Sequence, residues 1–190
     1  MHSVFDNLSF IIFNYDRCVE HYLYHALQNY YRIGELEAQQ IMAGLKIVHP
    51  YGAIGRLPWQ DPASVVFGGA RRGVTLLDIA TEISTFTERM RDDATLAAIR
   101  SQVQEAETVV FLGFAFHPLN MELLSPEAPS NAKRVFGTCM GISDADIQTV
   151  RHEIVQMLRV SLSNFTMFIN HNKLTCTTLF DEYWRTLVRG

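Results

Sequence analysis

Cysteine is scarce in this chain. The three thiols, Cys18, Cys139 and Cys176, lie far apart in 190 residues and form no CxxC pair. Their odd number and wide spacing exclude a disulfide framework and a zinc ribbon and fit a reducing compartment, with all three expected in the core. Long hydrophobic runs are missing as well. The N-terminal apolar stretch is Leu8 and Phe10 to Phe13, preceded by Asp6 and not by Lys or Arg, so neither a signal peptide nor a membrane anchor is expected, and the expected location is cytoplasmic. Charge of one sign is absent too. Sixteen scattered basic residues against 20 acidic ones give a net charge of −4, which supplies no electrostatic reason for a nucleic-acid or membrane partner. No internal repeat, low-complexity segment, Walker motif or GxGxxG fingerprint is found.

What remains is a chain that is 48% hydrophobic and 19% charged, long enough to bury a core without staples as a single domain over residues 1–190. Its organising stretch is Phe10-Ile11-Ile12-Phe13-Asn14-Tyr15-Asp16. This is an apolar run, read as a buried strand, that stops on Asn-x-Asp and passes directly into an amphipathic helix. Open α/β sheets place their ligand crevice at such a strand end. The plainer reading of Asn14 and Asp16 is that they end the strand and cap the helix. In that helix Val19, Tyr22, Leu23, Ala26, Leu27 and Tyr30 recur at helical spacing and predict the packed stripe, leaving His21, Tyr24, His25 and Gln28 outside. His21 and His25, four apart, have the spacing of two metal ligands on one helical face. No third ligand is recognisable, and the pair reads as a solvated face.

A short helix is predicted near Glu35 to Ala43, followed by a second strand, Leu45-Lys46-Ile47-Val48, which runs into His49-Pro50-Tyr51-Gly52. From Trp59 to Gly73 the Pro and Gly content predicts a long irregular connection, within which Gly68 to Gly73 is either a surface turn or a phosphate cradle. Asp92 or Asp93 caps a helix with the face Leu96, Ile99, Val103 and Ala106. Val109 to Phe114 is predicted as a fully buried strand ending at Gly113, where backbone approaches a neighbour or a ligand closely. Arg134 to Thr138 is predicted as the last strand of a parallel sheet of four or more. Ser143 and Asp146 resemble a capping box opening a helix with Ile147, Val150, Ile154, Met157 and Leu158 on its face. Thr178 and Asp181 are expected to cap a final helix with Leu179, Phe180, Tyr183, Trp184 and Leu187 on one side, either core or a self-association face. The βα alternation predicts a three-layer Rossmann-like α/β fold, with helices on both faces of a parallel sheet.

Strand ends at Asn14-Tyr15-Asp16, at His49-Pro-Tyr51-Gly52, at Gly113-Phe-Ala-Phe116 and at Gly137-Thr138, in this order, make residues 8 to 138 resemble a sirtuin-like, NAD-processing Rossmann domain of the divergent bacterial branch associated with anti-phage defence. The resemblance implies that the chain binds NAD and cleaves its glycosidic bond to nicotinamide and ADP-ribose. It implies catalytic roles for Asn14, His49 and Asp16: Asn14 at the nicotinamide ribose, Asp16 orienting the loop, and the base position at His49 or Tyr51. Tyr15, Tyr51, Gly52, Gly113, Phe114, Gly137 and Thr138 would line the cofactor. The family's Gly-rich phosphate loop has no counterpart here, which implies a partner chain or a second copy that supplies it. No metal is implied. The alternative from another class is an inactive remnant that serves as an oligomerisation or protein-interaction module.

Overall fold

The computed structural model describes residues 4–61, 64, 66–69, 83, 93–161, 163, 165–169 and 174–188. The chain is mixed α/β and divides into two compact units, Met1–Thr95 and Leu96–Gly190. In the first unit, β1 (Ser9–Ile11) leads to α1 (Cys18–Tyr31), α2 (Glu35–Ala43) and β2 (Lys46–Val48). The two strands pair in parallel with Phe10 opposite Ile47, and Ile12 N–H extends the ladder by donating to Val48 O at 2.9 Å. The helix connection between them is the βαβ arrangement that parallel pairing requires.

At the start of α1 the expected capping side chain acts from just ahead of the cap position. Asp16 Oδ1 accepts the N–H of Cys18 at 2.9 Å, and the residue at the cap itself, Arg17, makes no side-chain capping bond. The buried face of α1 differs from the predicted one. Glu20, Tyr24 and Leu27 are buried, whereas Tyr22 and Tyr30 are 70% and 81% exposed. The helix is rotated because Tyr24 stacks on Trp59, with ring centroids 5.0 Å apart and planes at 14°, and because Glu20 finds an ionic partner on β2's continuation. Aromatic burial and one charged pair outweigh the simple apolar stripe. The core of this unit joins Tyr24 and Leu27 to Ala38, Ile41, Met42 and Leu45, with Phe5 against them.

The second unit contains α3 (Asp93–Glu105), which begins at the boundary, then β3 (Thr108–Phe111), α4 (Pro118–Leu124), β4 (Arg134–Gly137), α5 (Asp144–Leu158), β5 (Thr166–Phe168) and α6 (Cys176–Val188). Its three strands are parallel in the order β3-β4-β5. Parallel pairing throughout the named strands is compatible with a Rossmann-like α/β fold, built from a two-stranded and a three-stranded sheet among the described residues. The predicted last strand, β4, is the middle one. β5 follows α5 and pairs Phe136 with Phe168, their rings stacked at 4.5 Å. β3 is half-exposed, with Val110 36% accessible, so it is not the fully buried strand expected.

Ser143 caps α5 as predicted, accepting from Asp146 N–H at 3.1 Å and donating to its carboxylate at 2.7 Å. Ile147, Val150, Ile154, Met157 and Leu158 form its buried face. The last helix is capped three residues before its expected cap. Thr175 Oγ1 accepts from Thr178 N–H at 3.2 Å, and Thr178 Oγ1 accepts from Thr175 N–H at 2.8 Å, a reciprocal pair. Of the three cysteines only Cys139 is buried; Cys18 and Cys176 are exposed. Ile154 is fully buried on α5, and Ile154→Ala is expected to cost about 2–5 kcal/mol, read as a lower urea midpoint with unchanged slope.

Candidate functional site

The carboxyl ends of β1 and β2 meet at His49. Asn14 lies on the surface, three residues beyond β1, and its carbonyl accepts a hydrogen bond from His49 Nδ1 at 3.0 Å. The other ring nitrogen, Nε2, lies 2.7 Å from Glu20 Oε1 on α1. A carbonyl can only accept, so Nδ1 carries a proton, and a proton on Nε2 as well makes an imidazolium facing a carboxylate. Burial opposes that charge. The hydrogen bonds to Glu20 and to Asn14 O, with the nearby carboxylate charges, outweigh the burial and hold His49 above its usual imidazole value. The side chains of His49 and Glu20 are 11% and 7% exposed, so this pair is largely withdrawn from water.

The rest of the loop is held by its backbone. Tyr15 O accepts from Ile54 N–H at 2.9 Å, and Gly52 N–H donates to His49 O at 3.1 Å. Gly52 has φ +81°, a left-handed conformation that suits glycine. Tyr51 is buried, with its ring 5.8 Å from that of Phe13. Burial and the Tyr15 phenol push its hydroxyl above the ordinary tyrosine value. Hydrogen bonds from Cys18 keep the Asp16 carboxyl below its usual range, and the same contact raises the Cys18 thiol.

Beside His49 opens a pocket of about 230 Å³. Arg17 and Glu20 from the start of α1, Leu45 and His49 from either end of β2, and Trp59 and Gln60 from the following loop line it. Arg17 is 6% exposed and donates through Nη1 to Arg56 O at 2.7 Å. Its burial lowers the guanidinium's pKa, and the charge of Glu20 opposes that shift. Glu20 Oε2 and Trp59 Nε1 are buried and have no hydrogen-bond partner among the described residues. Arg17, Glu20 and Trp59 were not among the residues expected from sequence. The signal available was the spacing 17, 20, 24, 27, which puts two charged residues on one helical face with Tyr24 and Leu27.

In the second unit, Gly113 N–H donates to Thr138 Oγ1 at 2.8 Å, joining the ends of β3 and β4. Gly113 has φ +59° and nothing within 4 Å of a built Cβ, so its backbone conformation, not a close approach, calls for glycine. A Cβ on Gly137 would lie 3.0 Å from Ile169 Cδ1, so core packing fills the space beside this residue. Phe114 belongs to an aromatic cluster with Phe111 and Phe116, at 5.3 and 5.2 Å.

Gly68 and Gly69 are described, but 70–73 lie outside the described residues, and with them most of the sequence's phosphate-cradle candidate. The His21 and His25 rings sit 4.5 Å apart, with His21 stacked on Phe67 at 4.0 Å. Among the described residues no group of three or more His, Cys, Asp or Glu is placed to hold a metal ion, and no helix is long and apolar enough to cross a membrane.

Fold and site together define an α/β protein of parallel strands, with a polar pocket at the strand ends of its first unit. No family model, curated protein or solved structure matches the chain.

Because His49's pKa is raised in the folded state, its pairing stabilises the fold fully below the unfolded imidazole value, and that stability is lost as pH rises through the folded value. Urea midpoints are therefore expected to fall as pH rises above the ordinary imidazole value of about 6.5. In His49→Gln, which cannot titrate, that part of the fall should vanish.

Proposed function

We propose that the chain is a divergent sirtuin-like domain that binds NAD at the ends of its first-unit strands and hydrolyses the glycosidic bond when a partner chain completes the site. The observation that carries this reading is the meeting of the Asn14–Asp16 segment with His49 where parallel strands end, the place at which open α/β sheets take nucleotides. A pocket of about 230 Å³ falls below the roughly 300–1,000 Å³ of pockets that enclose a drug-sized ligand. It houses one ring-sized part of a dinucleotide, which agrees with a partner or second copy supplying the phosphate loop.

The chemistry in this reading is simple. The C–N bond to nicotinamide breaks, the bonding pair leaves with neutral nicotinamide, and water captures the oxocarbenium-like ribose while losing one proton. Asn14 positions the ribose. With both ring nitrogens engaged, His49 is not a free base. The proton passes to Glu20, whose carboxylate His49 orients. The proposed location is the cytoplasm and the proposed context defence.

A specific observation favours the second reading, an oligomerisation module. On α6, Phe180, Trp184 and Val188 are 44%, 64% and 63% exposed, an aromatic edge on a helix whose inner side holds Leu179.

Calorimetric titration with NAD and ADP-ribose separates the two readings. Binding weakened at least tenfold by Asn14→Ala is expected, and absence of heat at millimolar ligand, alone and with candidate partner chains, overturns the NAD reading. A concentration-dependent oligomer that Trp184→Ala dissociates, in a chain that binds no nucleotide, supports the module.

A further inference from the structure

The pocket beside His49 carries more information than its position. Its polar groups are unevenly satisfied. Glu20 is 5% exposed, and while Oε1 meets His49, Oε2 has no partner among the described residues. Trp59 Nε1 is a buried donor in the same condition, and the indole cannot readily swing away because it is stacked on Tyr24 at 5.0 Å. A buried polar group left unsatisfied destabilises the fold, so two in one pocket wall are a cost that a ligand can relieve.

The charges around the pocket point the same way. Arg17 and Arg56 both line it, with His49 as a third basic group, against the single carboxylate of Glu20. The Arg17 guanidinium, held on Arg56 O, adds a buried positive charge to this wall, which favours an anion beside it. A donor-rich wall calls for an acceptor-rich, anionic ligand. The lone unpartnered acceptor, Glu20 Oε2, calls for a ligand that also carries a hydroxyl.

We infer that this pocket is a binding site for a sugar phosphate, with the phosphate toward Arg17 and Trp59 and a sugar hydroxyl donating to Glu20. A volume of about 230 Å³ suits one such unit, free or as part of a nucleotide. The inference shares its pocket and Glu20 with the NAD reading, but none of its contacts uses the Asn14 side chain and its ligand needs neither a nicotinamide nor a second phosphate.

Calorimetric titration of the whole chain with ribose 5-phosphate, inorganic phosphate, ribose and ADP-ribose tests it. Ribose 5-phosphate is expected to bind at least tenfold more tightly than phosphate or ribose. Trp59→Phe, which keeps the stack on Tyr24 and removes the N–H, should weaken it about tenfold. Glu20→Gln should bring ribose 5-phosphate toward the affinity of phosphate and leave phosphate itself little changed. ADP-ribose binding that competes with ribose 5-phosphate identifies the nucleotide as the source, and binding without competition identifies the free sugar phosphate. No heat with ribose 5-phosphate at 10 mM overturns the inference. So does equal affinity for phosphate and ribose 5-phosphate, or an unchanged affinity in Trp59→Phe whose thermal melt matches the parent chain. Ribose 5-phosphate binding in a chain that gives no heat with NAD fails the NAD reading alone, and Asn14-dependent NAD binding without ribose 5-phosphate binding fails this inference alone.

Discussion

His49 bonds in two directions, and the first unit is arranged around it. One ring nitrogen ties the end of β2 to the carbonyl of Asn14 in the segment after β1, and the other ties it to Glu20 on α1. Three elements are thereby fixed by one side chain. A buried pair of this kind brings a desolvation cost that its attraction only partly offsets. Its effect is therefore directional: it decides which face of α1 turns inward. With Glu20 inside, Tyr24 and Leu27 follow at helical spacing, and Tyr22 and Tyr30 are turned out to solvent.

The same pair organises the polar side of the pocket. Both ring nitrogens of His49 are engaged, so the ring is held in place and neither nitrogen is free to take a proton from a ligand. Glu20 keeps one oxygen uncommitted among the described residues, and Arg17, one turn before it, brings a guanidinium to the same wall. Trp59 closes the pocket by its stack on Tyr24. Packing and polarity are thus joined: the ring that completes the core also carries an unsatisfied N–H.

The second unit rests on a different device, close packing in a three-stranded parallel sheet. Gly137 leaves room for Ile169, and Phe136 stacks on Phe168 and meets Tyr183 at 5.4 Å. Much of this was legible. The sequence placed α2 at its observed bounds, Glu35–Ala43, and named all five buried residues of α5 together with its Ser143 cap, because local periodicity and capping decide such elements. β5 was not legible as a partner of β4. Its run, Phe165 to Ile169, is short, and a short apolar run becomes a strand only when a neighbouring edge accepts its hydrogen bonds.

By itself the sequence determined the class of fold, the alternation of helix and strand, the cap at Ser143, and the polar residues at the strand ends, since each depends on residues within a few positions of one another. Tertiary structure decided the rest. The family resemblance implies a base at His49 or Tyr51, but only the fold brings Glu20 to His49 across 29 positions and pairs the two side chains. The rotation of α1, the stack of Tyr24 on Trp59 and the burial of Arg17 likewise follow from long-range packing. Hydrophobic burial is non-directional, so a helical stripe states how much surface must be covered, whereas particular partners elsewhere in the chain determine which side covers it.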